Sequence, residues 1–269
     1  MGNIDQTAPL LVAQISDLHL FADERQDLLG WNTWASWEAI LEHLEMAQSL
    51  PDLILLTGDL SQDETEGAYR RLAHRLTPLG IPTYWLPGNH DHVPTMQRTL
   101  NTPPIYADKV IERGGWKFLL LNTNVPGQVY GALSGDSLKW LDSSLTQTPV
   151  HQPVVIALHH PPFLVGSPWL DKSGLQNTSA LLDILDRHPQ VRLVLFGHIH
   201  QEFEHQRRGV SYLSTPSTCI QFMPQSTNFA LDDARPGFRM IQLYPDGRFE
   251  TLIHRVTFRQ QLNFAAQGY

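Results

Sequence analysis

Cysteine is almost missing from this chain: Cys219 is the single one among 269 residues. No disulfide can therefore close within it, and a reducing cytoplasm is the expected setting. Long apolar runs are missing as well, with nothing near the ~18–20 residues that a membrane-spanning helix needs. Residues 1–8 have neither the basic cluster nor the apolar stretch of a secretory signal, and Gln6 stands where N-myristoylation requires Ser or Thr. Positive charge is scarce: 19 Lys+Arg face 27 Asp+Glu, a formal net charge of −8. With no basic run anywhere, binding to DNA or RNA and attachment to an acidic membrane surface are not expected. There is no repeat, low-complexity tract or linker, so residues 1–269 read as one domain. Asn177-Thr178-Ser179 has the form of a glycosylation acceptor, but without an export signal Asn177 reads as a helix cap. What is plentiful is histidine, with 13 in the chain.

Hydrophobic periodicity alternates strands and helices through the first half. Residues 10–16 form an apolar run that stops at Asp17-Leu18-His19, and Trp37, Ile40, Leu41, Leu44 and Ala47 follow at helical spacing. Residues 53–57 make a second buried strand ended by Gly58-Asp59, and Ser61-Gln62-Asp63-Glu64 has the spacing of a capping box for the next helix. A third strand at 83–86 ends in Pro87-Gly88. This is the pattern of parallel βαβ units. Further on, residues 110–113 and 116–122 flank Gly114-Gly115 as a hairpin, and Ser134 opens a helix. Strands at 154–158 and 192–196 bracket a helix at 179–187. Residues 202–206 with 210–214, and 238–243 with 248–254, read as two late hairpins. So many strands overfill one open sheet, and two packed sheets with outer helices accommodate them better.

Five strand ends carry metal-type ligands: Asp17-x-His19, Gly58-Asp59, Gly88-Asn89-His90-Asp91, His159-His160 and Gly197-His198-Ile199-His200. Ligands gather at the carboxyl ends of strands in α/β folds because the loops converge there. Near-extended backbone would aim residues i and i+2 the same way, so Asp17 with His19, and His198 with His200, are expected to point at one place. Any one segment occurs readily without a metal; five in succession, each closing an apolar strand, point to a metal centre. His160 lies beside a candidate ligand, His159. Trp31, Trp34, Trp37, Cys219 and the Arg207-Arg208 pair have packing or surface roles as their simpler reading.

In order and spacing these segments resemble the calcineurin-like binuclear metallophosphoesterases. Residues 28–34 (LLGWNTW), 58–63 (GDLSQD), 85–91 (WLPGNHD), 214–219 (STPSTC) and the closing Gly268-Tyr269 resemble, more narrowly, the bacterial class III 3′,5′-cyclic-AMP phosphodiesterases. The resemblance implies an α/β fold, a four-layer αββα sandwich of two packed mixed β-sheets flanked by helices, with C-terminal β-hairpins completing the second sheet. It implies two divalent metal ions, Fe and/or Mn with Zn or Co as alternatives. Asp17, His19, Asp59 and His200 would hold one, and Asp59, Asn89, His159 and His198 the other. It further implies hydrolysis of 3′,5′-cyclic AMP to 5′-AMP by a metal-bridging hydroxide. Asn89, His90, His19 and His200 would lie against the substrate, His90 would be the catalytic proton donor and Asp91 would orient it.

Departures narrow the family. The acidic-Arg-Gly continuation of protein phosphatases is replaced by Leu60-Ser61-Gln62-Asp63, and Gln62 stands where purple acid phosphatases carry Tyr. A 2′,3′-cyclic nucleotide or glycerophosphodiester is the rival substrate for the same centre. A sensor without activity on this scaffold would be expected to lack a ligand position, and every one is filled.

Overall fold

The computed structural model describes residues 8–268. The readings of residues 1–7 and of Tyr269 lie outside the described residues.

Two six-stranded sheets pack face to face. The first contains β1 (Leu10–Ile15), β2 (Leu53–Leu56), β3 (Thr83–Trp85) and β4 (Ile105–Tyr106), all parallel. The second contains β5 (Val110–Arg113), β6 (Trp116–Leu120), β7 (Val154–Ala157), β8 (Val191–Phe196), β9 (Phe203–Arg207) and β10 (Val210–Ser214). Its order is β9-β10-β8-β7-β6-β5, antiparallel only at the two edges. Helices α1 (Thr33–Glu45), α2 (Glu66–Leu76) and α3 (Val93–Thr99) cover the first sheet. Helices α4 (Gly135–Gln147), α5 (Pro168–Asp171) and α6 (Thr178–Leu185) cover the second. The expected four-layer αββα sandwich is observed.

Strand alternation builds the layers, because neighbouring side chains leave a strand on opposite faces. Leu10 and Val12, Leu53 and Leu55, Phe118 and Leu120, Val155 and Ala157, and Leu193 and Leu195 meet between the sheets. Their alternates face outward. Ala13, Ile15, Ile54 and Leu56 pack against Trp37, Ile40 and Leu41, whereas Ile156, Val194 and Phe196 share a cluster with Leu141 and Leu181.

The last hairpin departs from expectation. Strands β11 (Gly237–Leu243) and β12 (Phe249–Arg255) join the first sheet, β11 lying antiparallel to β1, while only the β9–β10 hairpin completes the second. Arg239 of β11 reaches across: its buried guanidinium donates to Ser214 O of β10 at 2.7 and 3.0 Å and to Glu204 of β9. The two hairpins are thus joined through a side chain although they belong to different sheets.

One capping expectation also gives way, and a second holds only in position. Helix α2 starts later than the Ser61–Glu64 box implied, with Thr65 as its cap. Asp63 instead accepts from Ala22 N and from Thr65 N and Oγ1, tying the loop after β2 to the loop after β1. Asn177 does stand at the N-cap of α6, but its carboxamide bonds both backbone groups of Leu133 and makes no side-chain cap to the helix. Arg207 is no free hairpin tip, since its guanidinium pairs with Asp186.

Candidate metal centre

The five ligand-bearing segments leave the carboxyl ends of β1, β2, β3, β7 and β8 and converge on one rim. Backbone bonds stitch them together: Asp17 N donates to Gly58 O at 2.9 Å, His19 N to Asp59 O at 3.0 Å, and Gly197 N to His159 O at 3.0 Å. The Asp17 carboxylate crosses between sheets to accept from His198 N at 3.0 and 3.1 Å.

Extended alternation, the expected cause of the convergence, is not what aims these side chains. Asp17, His19, Asp59, His198 and His200 all have left-handed backbone, with φ between 49° and 70°. For residues with a Cβ this conformation costs about 1 kcal/mol or more each. Five of nine such residues among those described are candidate ligands. The strain is concentrated where it turns side chains inward.

Motif glycines permit the approach. A Cβ on Gly88 would sit 2.1 Å from Asp59 Oδ1, and one on Gly197 would sit 2.1 Å from Ser16 Oγ and 2.8 Å from Asp17 Oδ2. Gly88→Ala is therefore expected to displace the Asp59 carboxylate by about an ångström and to press on the Asp59 backbone N, which the added carbon would approach to 2.5 Å. Misplacement on that scale costs on the order of 10²-fold in turnover. Kinetics alongside a thermal melt would check this, because the expected loss is in activity with the fold largely retained.

Asp17, His19, Asp59, His159 and His200 are fully buried, His198 nearly so, and Asn89 and His90 half-buried. Burial raises both carboxyls, but the histidines outweigh it: His200 and His159 hold Asp17 below the ordinary range, and His159 and His90 hold Asp59 well below it. Burial lowers His19 to about 3 against the pull of Asp59, and burial with His159 lowers His160 to about 3. His198 is pushed well down by burial and by His160. His159 goes the other way, up to about 9, because Asp59 overcomes its burial. The ionised carboxylates and the lowered His19 and His198 are in the protonation states that cations require, and a cation would displace the proton that Asp59 holds on His159.

Hydrogen bonds to the far ring nitrogens set the tautomers. His19 Nδ1 is 2.6 Å from Gln62 Oε1, His200 Nδ1 2.9 Å from Ile220 O, and His159 Nδ1 2.8 Å from Thr57 O. These oxygens only accept, so Nδ1 carries the hydrogen and Nε2 is the atom turned toward the carboxylates, open to a metal once it is deprotonated. For His198 the ring is reversed. Ser173 Oγ donates to Leu170 O and accepts from His198 Nε2 at 2.9 Å, so Nδ1 carries the lone pair.

These assignments leave acceptors facing acceptors. His19 Nε2 lies 3.1 Å from His200 Nε2, with Asp17 Oδ1 3.4 Å from the latter and Asp59 Oδ2 3.8 Å from the former. His198 Nδ1 lies 3.0 Å from Asn89 Oδ1. His159 Nε2 is buried without an aligned hydrogen bond, 3.2 Å from Asp59 Oδ2. Lone pairs opposed in a buried site repel unless a positive charge lies between them. The donor set therefore fits divalent cations in two adjoining clusters, with Asp59 between them.

The calcineurin-like phosphoesterase profile matches residues 10–202, which span β1 through β8 and all five strand-end segments. The chain belongs to the calcineurin-like phosphoesterase family. It is 50% identical over 255 residues to a 3′,5′-cyclic-nucleotide phosphodiesterase of Nostoc sp., covering 95% of this chain and 96% of that protein. It is 41% identical over 264 residues to the 3′,5′-cyclic adenosine monophosphate phosphodiesterase CpdA of Escherichia coli, covering 97% and 96%. Among solved structures, a dimetal phosphatase from Danio rerio superposes with a TM-score of 0.63 at 18% identity, covering 93% of this chain and 100% of that one. That likeness concerns the fold.

Within this calcineurin-like phosphoesterase, one residue sits otherwise than expected. Asp91 does not orient the His90 ring. Its buried carboxylate accepts from Leu60 N, Ser61 N, Gly88 N and the Tyr69 hydroxyl, at 2.9–3.2 Å, and so binds the loop after β2 to the loop after β3. Burial and the nearby Asp59 raise it to about 6 despite those donors. His160 contacts Thr123 Oγ1 through Nδ1 and Val129 O through Nε2 at 2.8 and 3.1 Å, and it forms a compact group of buried donors with His159 and His198. Cys219 is buried, with its sulfur 3.4 Å from Asp17 O, and Trp31, Trp34 and Trp37 are core residues.

Sequence reasoning passed over Gln62 and Ser173, which set the tautomers of His19 and His198. It also passed over Trp169, Phe222 and Phe229, which line a cavity of about 640 Å³ together with Asn89, His90 and His198. A larger cleft of about 1090 Å³ beside Arg70, Arg71 and Arg75 is lined by Asn32 and Trp34 of the 28–34 segment but by none of the candidate ligands.

Proposed function

We propose that this calcineurin-like phosphoesterase hydrolyses 3′,5′-cyclic AMP to 5′-AMP with two divalent metal ions bound at the strand-end cluster. The substrate reading rests on relatives 41–50% identical over nearly the full chain. The metal reading rests on one observation above all, the compact groups of His and Asp donor atoms that the strand ends bring together in a buried rim. Asp17, His19, Asp59 and His200 would hold one ion and Asp59, Asn89, His159 and His198 the other. Oxygen and imidazole donors without a thiolate suit Fe and/or Mn, with Zn or Co able to substitute. When bound, the ions supply Lewis acidity that activates water and stabilises charge on the phosphoryl oxygens.

The protein's own part is positional and protonic. The Asn89 carboxamide and the rings of His19 and His200 border the place where the phosphodiester would sit. His90 is held through its backbone N–H, which donates to Asp59 Oδ1 at 2.8 Å, and its ring meets that of His19 at 5.0 Å. From there it delivers a proton to O3′ as the ester bond breaks. Asp91, by fixing the Asp59 and Asn89 loops, keeps these groups in register. No helix among the described residues is long and apolar enough to cross a membrane, and a cytoplasmic location suits a soluble nucleotide substrate.

The direct test is turnover by metal-stripped protein titrated with Mn, Fe(II) and Zn, with the product identified. Restored conversion of 3′,5′-cyclic AMP to 5′-AMP, well above turnover of 2′,3′-cyclic AMP and bis(p-nitrophenyl) phosphate, is expected. Cleavage of the artificial diester with cyclic AMP barely touched would overturn the substrate reading and keep the centre.

A further inference from the structure

The cavity at the centre has two chemically distinct ends. One is polar and is formed by Asn89, His90 and His198. The other is aromatic. Trp169 meets Phe222 edge-on at 5.0 Å and Phe229 at 5.2 Å, and Phe222 lies 5.7 Å from Phe229. Phe222 joins the two ends, because its ring stacks on His200 at 4.1 Å with only 12° between planes. The aromatic wall thus begins one ring thickness from the candidate ligands.

A phosphodiester alone does not need this space. About 640 Å³ is the size of a pocket for a whole small molecule, and such pockets combine an apolar wall with a few polar groups that fix orientation. Phe222 is fully buried, but Trp169 and Phe229 are only partly covered although both are large apolar rings. At the mouth stand two carboxamides, Asn228 and Gln267, both exposed, with no hydrogen bond from either side chain to another described residue. An amide offers a donor and an acceptor side by side, the pairing that the edge of a nucleobase presents in reverse.

We propose that the aromatic end of the cavity, formed by Trp169, Phe222 and Phe229, is the subsite for the purine base of the substrate, with Asn228 and Gln267 reading its polar edge. This assignment rests on the functional reading above and makes it more specific: the metal cluster takes the phosphodiester, and the wall takes the heterocycle. The sugar then spans the layer that the Phe222 ring occupies.

The test compares 3′,5′-cyclic AMP with methyl riboside 3′,5′-cyclic phosphate, which has the same reacting ring and no base. Loss of one stacking partner costs about 5- to 150-fold in affinity. Trp169→Ala is therefore expected to raise KM for cyclic AMP at least about tenfold, with kcat moving much less. The preference for cyclic AMP over the base-free ester should fall by a similar factor, and Trp169→Phe should recover most of it. Asn228→Ala and Gln267→Ala should alter the ratio of cyclic AMP to cyclic GMP turnover. Quenching of tryptophan fluorescence by 5′-AMP, diminished in Trp169→Phe, reads the subsite without turnover. Equal losses on both substrates in Trp169→Ala, or quenching unchanged in Trp169→Phe, would overturn the subsite and leave the functional reading standing. Retained quenching by 5′-AMP in a metal-loaded wild type inactive on cyclic AMP would support the subsite and overturn the functional reading.

Discussion

Asp59→Asn is expected to lower cyclic AMP turnover by about 10⁴-fold or more, in line with removing a group on which the whole catalytic constellation depends. The reason is its position. Asp59 Oδ2 lies 3.2 Å from His159 Nε2 and 3.8 Å from His19 Nε2, one from each of the two clusters. Asn is nearly isosteric, so Oδ1 can still accept from His90 N, and burial is no worse. What disappears is the charge that, on the proposed reading, would hold two cations close together. Metal content measured on the purified variant should fall from two ions per chain to one or none. Asp17→Asn is the control that separates the clusters: Asp17 lies near His200 Nε2, at 3.4 Å, and is expected to weaken one ion while the other stays. Two ions retained in Asp59→Asn with activity intact would remove Asp59 from the bridging position.

The layers were readable because a strand's alternation is set locally: Val12, Leu55, Val155 and Leu193 face the interior for the same reason that Ala13, Ile54, Val154 and Val194 face the helices. The strand-end segments were readable because each polar ligand ends an apolar run. Other features depend on contacts that no local pattern specifies. Strand β11 is buried on most positions of both faces, so its pattern does not say which sheet it extends, and its antiparallel register with β1 lies more than 220 residues away in sequence. The left-handed turns at Asp17, His19, His198 and His200 use residue types that enter that conformation more often than most but far more often stay outside it, so no local pattern announces them. Asp91 looked like a partner for its neighbour His90, yet three donors from two other segments, with Gly88 N of its own loop, surround it. Ser173 and Gln62 are single polar residues whose roles follow from the histidines that fold against them. The aromatic wall is assembled from positions 169, 222 and 229, and only the fold brings those rings to one cavity.

His90→Ala separates proton delivery from metal holding, and its effect is expected to depend on the leaving group. A ribose 3′-alkoxide is strongly basic and leaves poorly without a proton, whereas p-nitrophenolate leaves readily unprotonated. Loss of a general acid typically costs about 10²- to 10⁴-fold. That full loss is expected for cyclic AMP, with a far smaller one for bis(p-nitrophenyl) phosphate assayed on the same preparation. The structure supports the separation in two ways. The ring of His90 borders the cavity, half-buried, while the fully buried His19, His159 and His200 face the carboxylates. The contact that ties it to Asp59 is made by its backbone N–H, which alanine keeps. Metal content should therefore remain at the wild-type value. Equal losses on both diesters with metal retained would assign the His90 ring to phosphate binding, because a contact to a phosphoryl oxygen serves both leaving groups alike. Loss of an ion instead would place the ring among the ligands, beside His19 and Asp59, with which it forms one of the compact donor groups of the rim.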